Sequence, residues 1–208
     1  MIRGDARTGD LLIADADVHL GYPDDRGAGG PLVLGAGARL RSGTILYRGS
    51  VIGDRFSTGH HVVVREQCTV GDDVSIWTGT VVDYGVVLGD RVKIHSNCYI
   101  SQYTVVEDDA FVAPGVTLAN DLYPGMPESA AQMRGPLIGA GAQIGVGSTV
   151  LPYVRIGAGA VIGAGSVVTR DVPQGMIAYG NPAIARRPVP DKFAVVERLL
   201  AVSGQDRS

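Results

Sequence analysis

Ile52-Gly53-Asp54, Val70-Gly71-Asp72, Leu88-Gly89-Asp90 and Val106-Glu107-Asp108 recur at intervals of 18 residues. Stepping outward from Val70 by six residues gives Leu34, Leu40, Leu46, Ile52, Thr58, Val64, Val70, Ile76, Val82, Leu88, Ile94, Ile100, Val106, Val112 and Leu118. Thr58 alone in that series is not aliphatic. From Thr44 onward the positions two residues earlier are small or β-branched, among them Thr44, Ser50, Cys68, Thr80, Cys98 and Ala110, with Phe56 the one large exception. A second run carries the same step through Ile138, Ile144, Val150, Ile156, Ile162 and Val168. An amphipathic helix repeats near 3.6 residues and a flat strand every 2, so neither produces a period of six beneath one of 18. Three hexads therefore make one coil of a triangular prism, and the same corner chemistry returns once per coil. A hexad cannot bury its apolar residue alone, so coils must stack at the strand spacing of about 4.8 Å. Thr58 has the shape of valine, and its buried hydroxyl is expected to bond a neighbouring corner carbonyl.

The composition agrees. Thirty glycines stand against three Phe and one Trp in 208 residues, so small aliphatic side chains fill this core. The net charge of −3 gives no general attraction to nucleic acid or an anionic membrane. No run approaches the apolar length of a membrane span and no signal peptide is legible, so a cytoplasmic location is expected. Cys68 and Cys98 fall on inward positions and read as buried thiols rather than a disulfide.

Three segments follow. Residues 1–31 keep the rhythm poorly and read as an irregular first coil or cap. Residues 32–189 form the prism, with a loop over 119–137. Residues 190–208 form a C-terminal helix and tail: Asp191 is an N-cap after Pro190, and Phe193, Val196, Leu199 and Leu200 share one helical face. Leu118 and Ile138 lie 20 residues apart, which fits one hexad plus 14 extra residues or one coil plus two. Asp121, Pro124, Gly125 and Pro127 favour an extruded loop, and a long loop on a rigid scaffold points to function.

The repeat resembles the hexapeptide-repeat acyltransferases, over roughly residues 32 to 172. Lys93-Ile94-His95-Ser96-Asn97, the run from Val106 to Thr117, and Asn120-Asp121-Leu122-Tyr123-Pro124 are similar to a narrower group, the N-acetyltransferases of nucleotide-linked amino sugars. Gly180-Asn181-Pro182-Ala183 matches an ending common to hexapeptide acyltransferases. The chain departs at Gly125, where the group usually carries Arg, and position 95 varies within the group. The resemblance implies an all-β, left-handed parallel β-helix. It also implies a homotrimer with sites in the clefts between prisms, acetyl-CoA as co-substrate, and an amino sugar on a nucleotide carrier as acceptor.

The residues bear on that chemistry directly. A filled prism has no internal pocket, so function sits on outer faces, at the loop or between subunits. Acyl transfer to an amine needs a proton acceptor and support for the oxyanion. His95 suits the first task and Asn97 the second. Asn120 and Asp121 would hold the sugar and steer its amine. His95 and Asn120 occupy successive corners, one prism side of roughly 15–17 Å apart, so they meet only across a subunit interface. Tyr84, Gln102 and Asn120 share one 18-residue column and Tyr103 and Asp121 the next, so these, with Tyr123, are candidate substrate contacts, or ordinary subunit contacts in the case of the tyrosines. Small corners in the second run, including Gly139, Gly157, Ala158 and Ala164, would let a pantetheine arm lie against backbone. Arg170, Arg186 and Arg187 suit its phosphates, beside Asn181 and Pro182. His60-His61 has no third ligand at a sensible spacing, so no metal is expected, and a β-helix metalloenzyme is disfavoured. An O-acetyltransferase on a hydroxyl, or a non-catalytic assembly subunit, are the rival readings.

Overall fold

In the computed structural model, residues 2–27 and 29–191 are described. Three sheets of nine, eight and ten strands, parallel except for the last strand of the third, form the sides of a prism among these residues. Face one holds Val81–Val82 and Tyr99–Ile100, face two Val87–Leu88 and Val105–Val106, and face three Lys93–Ile94 and Phe111–Val112. Outside the first coil, the coil that carries the loop and the terminal hairpin, each strand pairs with the residue 18 positions on, so Ile52, Val70, Leu88 and Val106 stand in one unbroken column. The apolar residues of the series are almost wholly buried and form one continuous core. Phe56 fits because Ala38, one coil earlier in the same column, is small; both are fully buried.

The corners explain the Gly-Asp repeat. The carboxylate of each Asp caps a backbone N–H of the preceding coil. Asp54 Oδ1 accepts from Ala36 N–H, Asp72 from Asp54, Asp90 from Asp72, and Asp108 from Asp90, at 2.8–3.0 Å. A Cβ on Gly35, Gly53, Gly71 or Gly89 would lie 2.3–2.4 Å from that same oxygen. Glycine is thus required beneath each aspartate. Glu107 breaks the pattern where the next coil offers Ala140 instead of Asp, and its own carboxylate takes the Ala140 N–H at 2.9 Å. The third residue after a core position bends the chain with positive φ at most corners, as in Asn97 (59°), Tyr103 (60°) and Gly79 (73°).

Thr58 departs from expectation. Its hydroxyl accepts from the Arg41 N–H at 3.1 Å and meets the Thr44 hydroxyl at 2.9 Å; Thr44 in turn donates to the Gly59 carbonyl at 3.3 Å. The carbonyl is reached through a second buried hydroxyl rather than directly. Both cysteines are buried, and their thiols donate to the carbonyls of Asp83 and Ala113.

Residues 2–22 supply four strands to the stack, with a register shift at Leu20/Tyr22. Val105 and Val106 pair with Leu137 and Ile138, so the loop is an insertion of 14 residues into one coil and the alternative spacing is excluded. Beyond the last strand of face one, Met176–Gly180 pairs parallel with Val161–Ile162 and then antiparallel with Ala183–Pro188, a hairpin that extends face three and is not foreseen from the hexad pattern. The helix expected over roughly 191–202 lies outside the described residues.

Candidate functional site

The loop leaves the corner between faces one and two. Asp121 organises its start: Oδ1 accepts the Tyr123 N–H at 2.8 Å and Oδ2 the Ser129 hydroxyl at 2.9 Å. Ser129–Gln132 is a short 3₁₀ turn, and the Tyr153 hydroxyl donates to the Gln132 carbonyl. Arg134 N–H closes the loop onto the Asn120 carbonyl at 2.8 Å. Between loop and face one lies a recess of about 440 Å³, lined by Tyr99, Gln102, Thr117, Asn120, Asp121, Pro124 and Met133.

Three of the sequence-derived acceptor residues, Gln102, Asn120 and Asp121, therefore meet in one place. The Asn120 amide donates to Gln102 Oε1, and Gln102 Nε2 donates to Asp83 Oδ2 at 2.7 Å. The other three stand apart. Tyr123 contributes its N–H to the loop while its ring is exposed. Tyr84 is buried beneath the Arg26 guanidinium, 3.9 Å from the ring centre, and Tyr103 packs edge-on against it at 5.4 Å.

The hexad reading passed over Tyr99 and Asp83. The Tyr99 hydroxyl donates to Asp83 Oδ2 at 2.6 Å. Burial, then this bond to a carboxylate, push the phenol up to about 12. A column reading at 18 residues supplies the missing signal, because it sets Arg65 under Asp83 and Glu66 under Tyr84.

His95 and Asn97 occupy the corner between faces three and one, a full side away from Asn120. The His95 ring stacks on Trp77 at 4.4 Å and 11°, and tilts against Phe111 at 5.0 Å. Aromatic contacts thus set its orientation. Asn97 is exposed, and its positive φ suits asparagine at a tight corner independently of any role with substrate.

The residues expected to hold coenzyme A do not share one edge. Gly139, Gly157 and Ala158 lie between faces two and three, whereas Ala164 lies between faces three and one. Coil packing already demands these glycines: a Cβ on Gly139 would stand 2.6 Å from Ala158 N, and one on Gly157 2.4 Å from Gln174 N. Arg170 is exposed just after the final strand of face one. Arg186 and Arg187 are exposed on the hairpin, with the Arg186 guanidinium 5.4 Å from the Tyr179 ring centre. Asn181 and Pro182 form its turn, joined by a cis peptide bond. Among the described residues, no group of three or more His, Cys, Asp or Glu is placed to hold a metal ion, and no helix is long and apolar enough to cross a membrane.

A three-sided stack of parallel hexads with an extruded loop defines the left-handed β-helix class. Within it, residues 135–170 match the family described as bacterial transferase hexapeptide (six repeats), and residues 66–102 the hexapeptide repeat of succinyl-transferase. The resemblance to hexapeptide-repeat acyltransferases thus holds in repeat and in fold. A Bacillus cereus protein provisionally described as an acetyltransferase is 28% identical, with a TM-score of 0.53 over 69% of this chain and 81% of that one. The UDP-N-acetylglucosamine acyltransferase of Campylobacter jejuni is 15% identical and superposes with a TM-score of 0.77 over 95% of this chain and 75% of its own. The polySia-specific acetyltransferase NeuO is 19% identical, with a TM-score of 0.56 over 98% and 91%. The last two speak to fold alone. Among curated proteins none matches the chain.

Proposed function

We propose that the protein is an acyl-CoA-dependent N-acyltransferase. It would work as a cytoplasmic homotrimer and move acetyl from acetyl-CoA to the amine of a nucleotide-linked amino sugar. The observation that carries this reading is the loop-covered recess, where Gln102, Asn120, Asp121 and Tyr99 converge on a rigid hexapeptide scaffold. Acetyl-CoA would supply the electrophilic thioester. Arg170, Arg186 and Arg187 are assigned to its phosphates and Ala164, Asn181 and Pro182 to its arm, with Gly139, Gly157 and Ala158, which lie on another edge, contributed to the cleft by the neighbouring subunit.

The sugar amine would enter the recess, held by Asn120, with Asp121 fixing the loop above it. Tyr84, Tyr103 and Tyr123 are assigned to the surrounding contacts with sugar, base or neighbouring subunit. His95 of a neighbouring subunit takes the amine proton as the amide forms, and the Asn97 amide supports the oxyanion. A base so placed typically contributes about 10²–10⁴-fold. Proton and electrons balance: the amine lone pair forms the new bond, the thiolate leaves, and the proton passes through His95 to give the free thiol.

Thiol release from acetyl-CoA, followed across a panel of nucleotide-linked amino sugars and their hydroxyl counterparts, tests the reading. Turnover with an amine acceptor, and acetylated product by mass, support it. Turnover with hydroxyl acceptors alone replaces it by O-acylation, and none across the panel overturns it. His95→Ala and Asn97→Ala should lower kcat with the assembly intact; wild-type turnover in both would refute the site assignment.

A further inference from the structure

Beneath the recess lies a set of buried charges with no part in the acyl transfer just described. Glu66 is wholly buried and Asp83 is 5% exposed. Carboxylates are rarely so buried, and only when paired. The Arg65 guanidinium forks onto Glu66 through Nε at 3.1 Å and Nη2 at 2.9 Å, and reaches Asp83 Oδ1 through Nη1 at 3.2 Å. Arg26 Nε also reaches Glu66, at 3.1 Å from the Oε1 that Arg65 Nη2 contacts. Asp83 also accepts the Tyr84 N–H at 2.8 Å, besides Tyr99 and Gln102.

This arrangement fixes a direction. A carboxylate accepts hydrogen bonds and donates none. Gln102 must therefore turn its Nε2 toward Asp83 and its Oε1 the other way. That oxygen also only accepts, so Asn120 must turn its Nδ2 toward it. Asn120 Oδ1 is left as the end of the chain beside the recess. The orientation of two amides, ordinarily ambiguous, is settled here by the acceptor-only group at the root. Asp121, by contrast, directs both carboxylate oxygens to the loop.

We propose that Asp83 is a positioning residue which, through Gln102, makes Asn120 present a carbonyl oxygen to the recess, so that the recess selects a hydrogen-bond-donating group of the acceptor and disfavours a carboxylate or phosphate there. The proposal rests on reading the recess as the acceptor site. An amine or hydroxyl satisfies the exposed oxygen, whereas an anionic group would face a second acceptor.

Asp83→Asn is the decisive change, because it alters no shape. An amide at 83 donates as well as accepts, so the chain can run in reverse and Asn120 can present Nδ2 instead. Gln102→Leu cuts the same chain one link later. Each variant should raise the acceptor KM about five- to tenfold, the loss of one hydrogen bond, with the KM for acetyl-CoA unchanged. The two act in series, so the double variant should be no worse than the worse single one, while unrelated structural damage would add.

A second readout needs no turnover. The Gln102 side-chain ¹H–¹⁵N amide signals, assigned by their loss in Gln102→Leu, should show slow hydrogen exchange in the wild type and fast exchange in Asp83→Asn. Fast exchange in the wild type, an unchanged acceptor KM in Asp83→Asn, or additive losses in the double variant would each overturn the proposal. Slow exchange without turnover of any acceptor would instead show that the functional reading has failed, and the acceptor role of Asn120 would fall with it.

Discussion

Adding one methyl group at Gly71 tests the corner chemistry that repeats through the prism. A Cβ there would lie 2.3 Å from Asp90 Oδ1 and 2.8 Å from both Asp90 N and Gly89 C. The carboxylate must swing away, and it then loses the Asp72 N–H that it accepts at 2.9 Å. Crowding of this kind costs about 1–3 kcal/mol. Asp90→Ala removes the same bond without crowding, at about 0.5–2 kcal/mol by analogy with helix caps. For a chain of this length each kcal/mol lowers Tm by about 2–4 °C. We expect Gly71→Ala to lower Tm by about 4–8 °C and Asp90→Ala by about 2–4 °C, followed by circular dichroism. In the double variant the oxygen is gone and the bond is lost only once. Its destabilisation should fall short of the sum by about 1 kcal/mol, with the two backbone contacts accounting for what remains. Strictly additive losses, or a harmless Gly71→Ala, would refute the idea that glycine is there to make room for the next coil's carboxylate.

Burial pushes the Cys68 thiol up to about 12, and burial also raises Cys98; neither should react with a disulfide reagent at neutral pH until the chain unfolds, and a fast-reacting thiol would contradict the packing. Trp77 is the sole tryptophan and stacks on His95, so its fluorescence emission should change in His95→Ala, and an unaltered spectrum would contradict the stacking. Tyr99 is a folded-state phenol raised to about 12 by burial and then by Asp83, against an ordinary value of 10.0. Its contribution to stability is complete below about pH 10 and disappears as pH rises through about 12, so Tyr99→Phe should flatten the alkaline loss of Tm over that window.

The prism was legible because its rule is local. A side chain six residues on faces the same interior, and Val70, Leu88 and Val106 report that without knowledge of anything else. The loop's length was legible only as two alternatives, since residue spacing cannot distinguish an insertion within a coil from a lengthened coil; the pairing of Val105 with Leu137 decides it. Gln102 and Asn120 were found by stacking columns. Asp83 was not, because it touches them through a neighbouring coil and a carboxylate at a corner reads as solvated. The hairpin at 176–188 obeys strand pairing rather than hexad spacing, so a six-residue ruler passes over it. The corner glycines of the second run suggested a ligand's path, but coil contact accounts for them unaided.

Leu137 meets Val105 as though the intervening loop had never been inserted. Fourteen residues enter the chain here without displacing the strand on either side. Whatever the loop grips can therefore be exchanged in laboratory or natural evolution while the column beneath keeps its alignment, and ligand preference can drift at a pace the support need not follow.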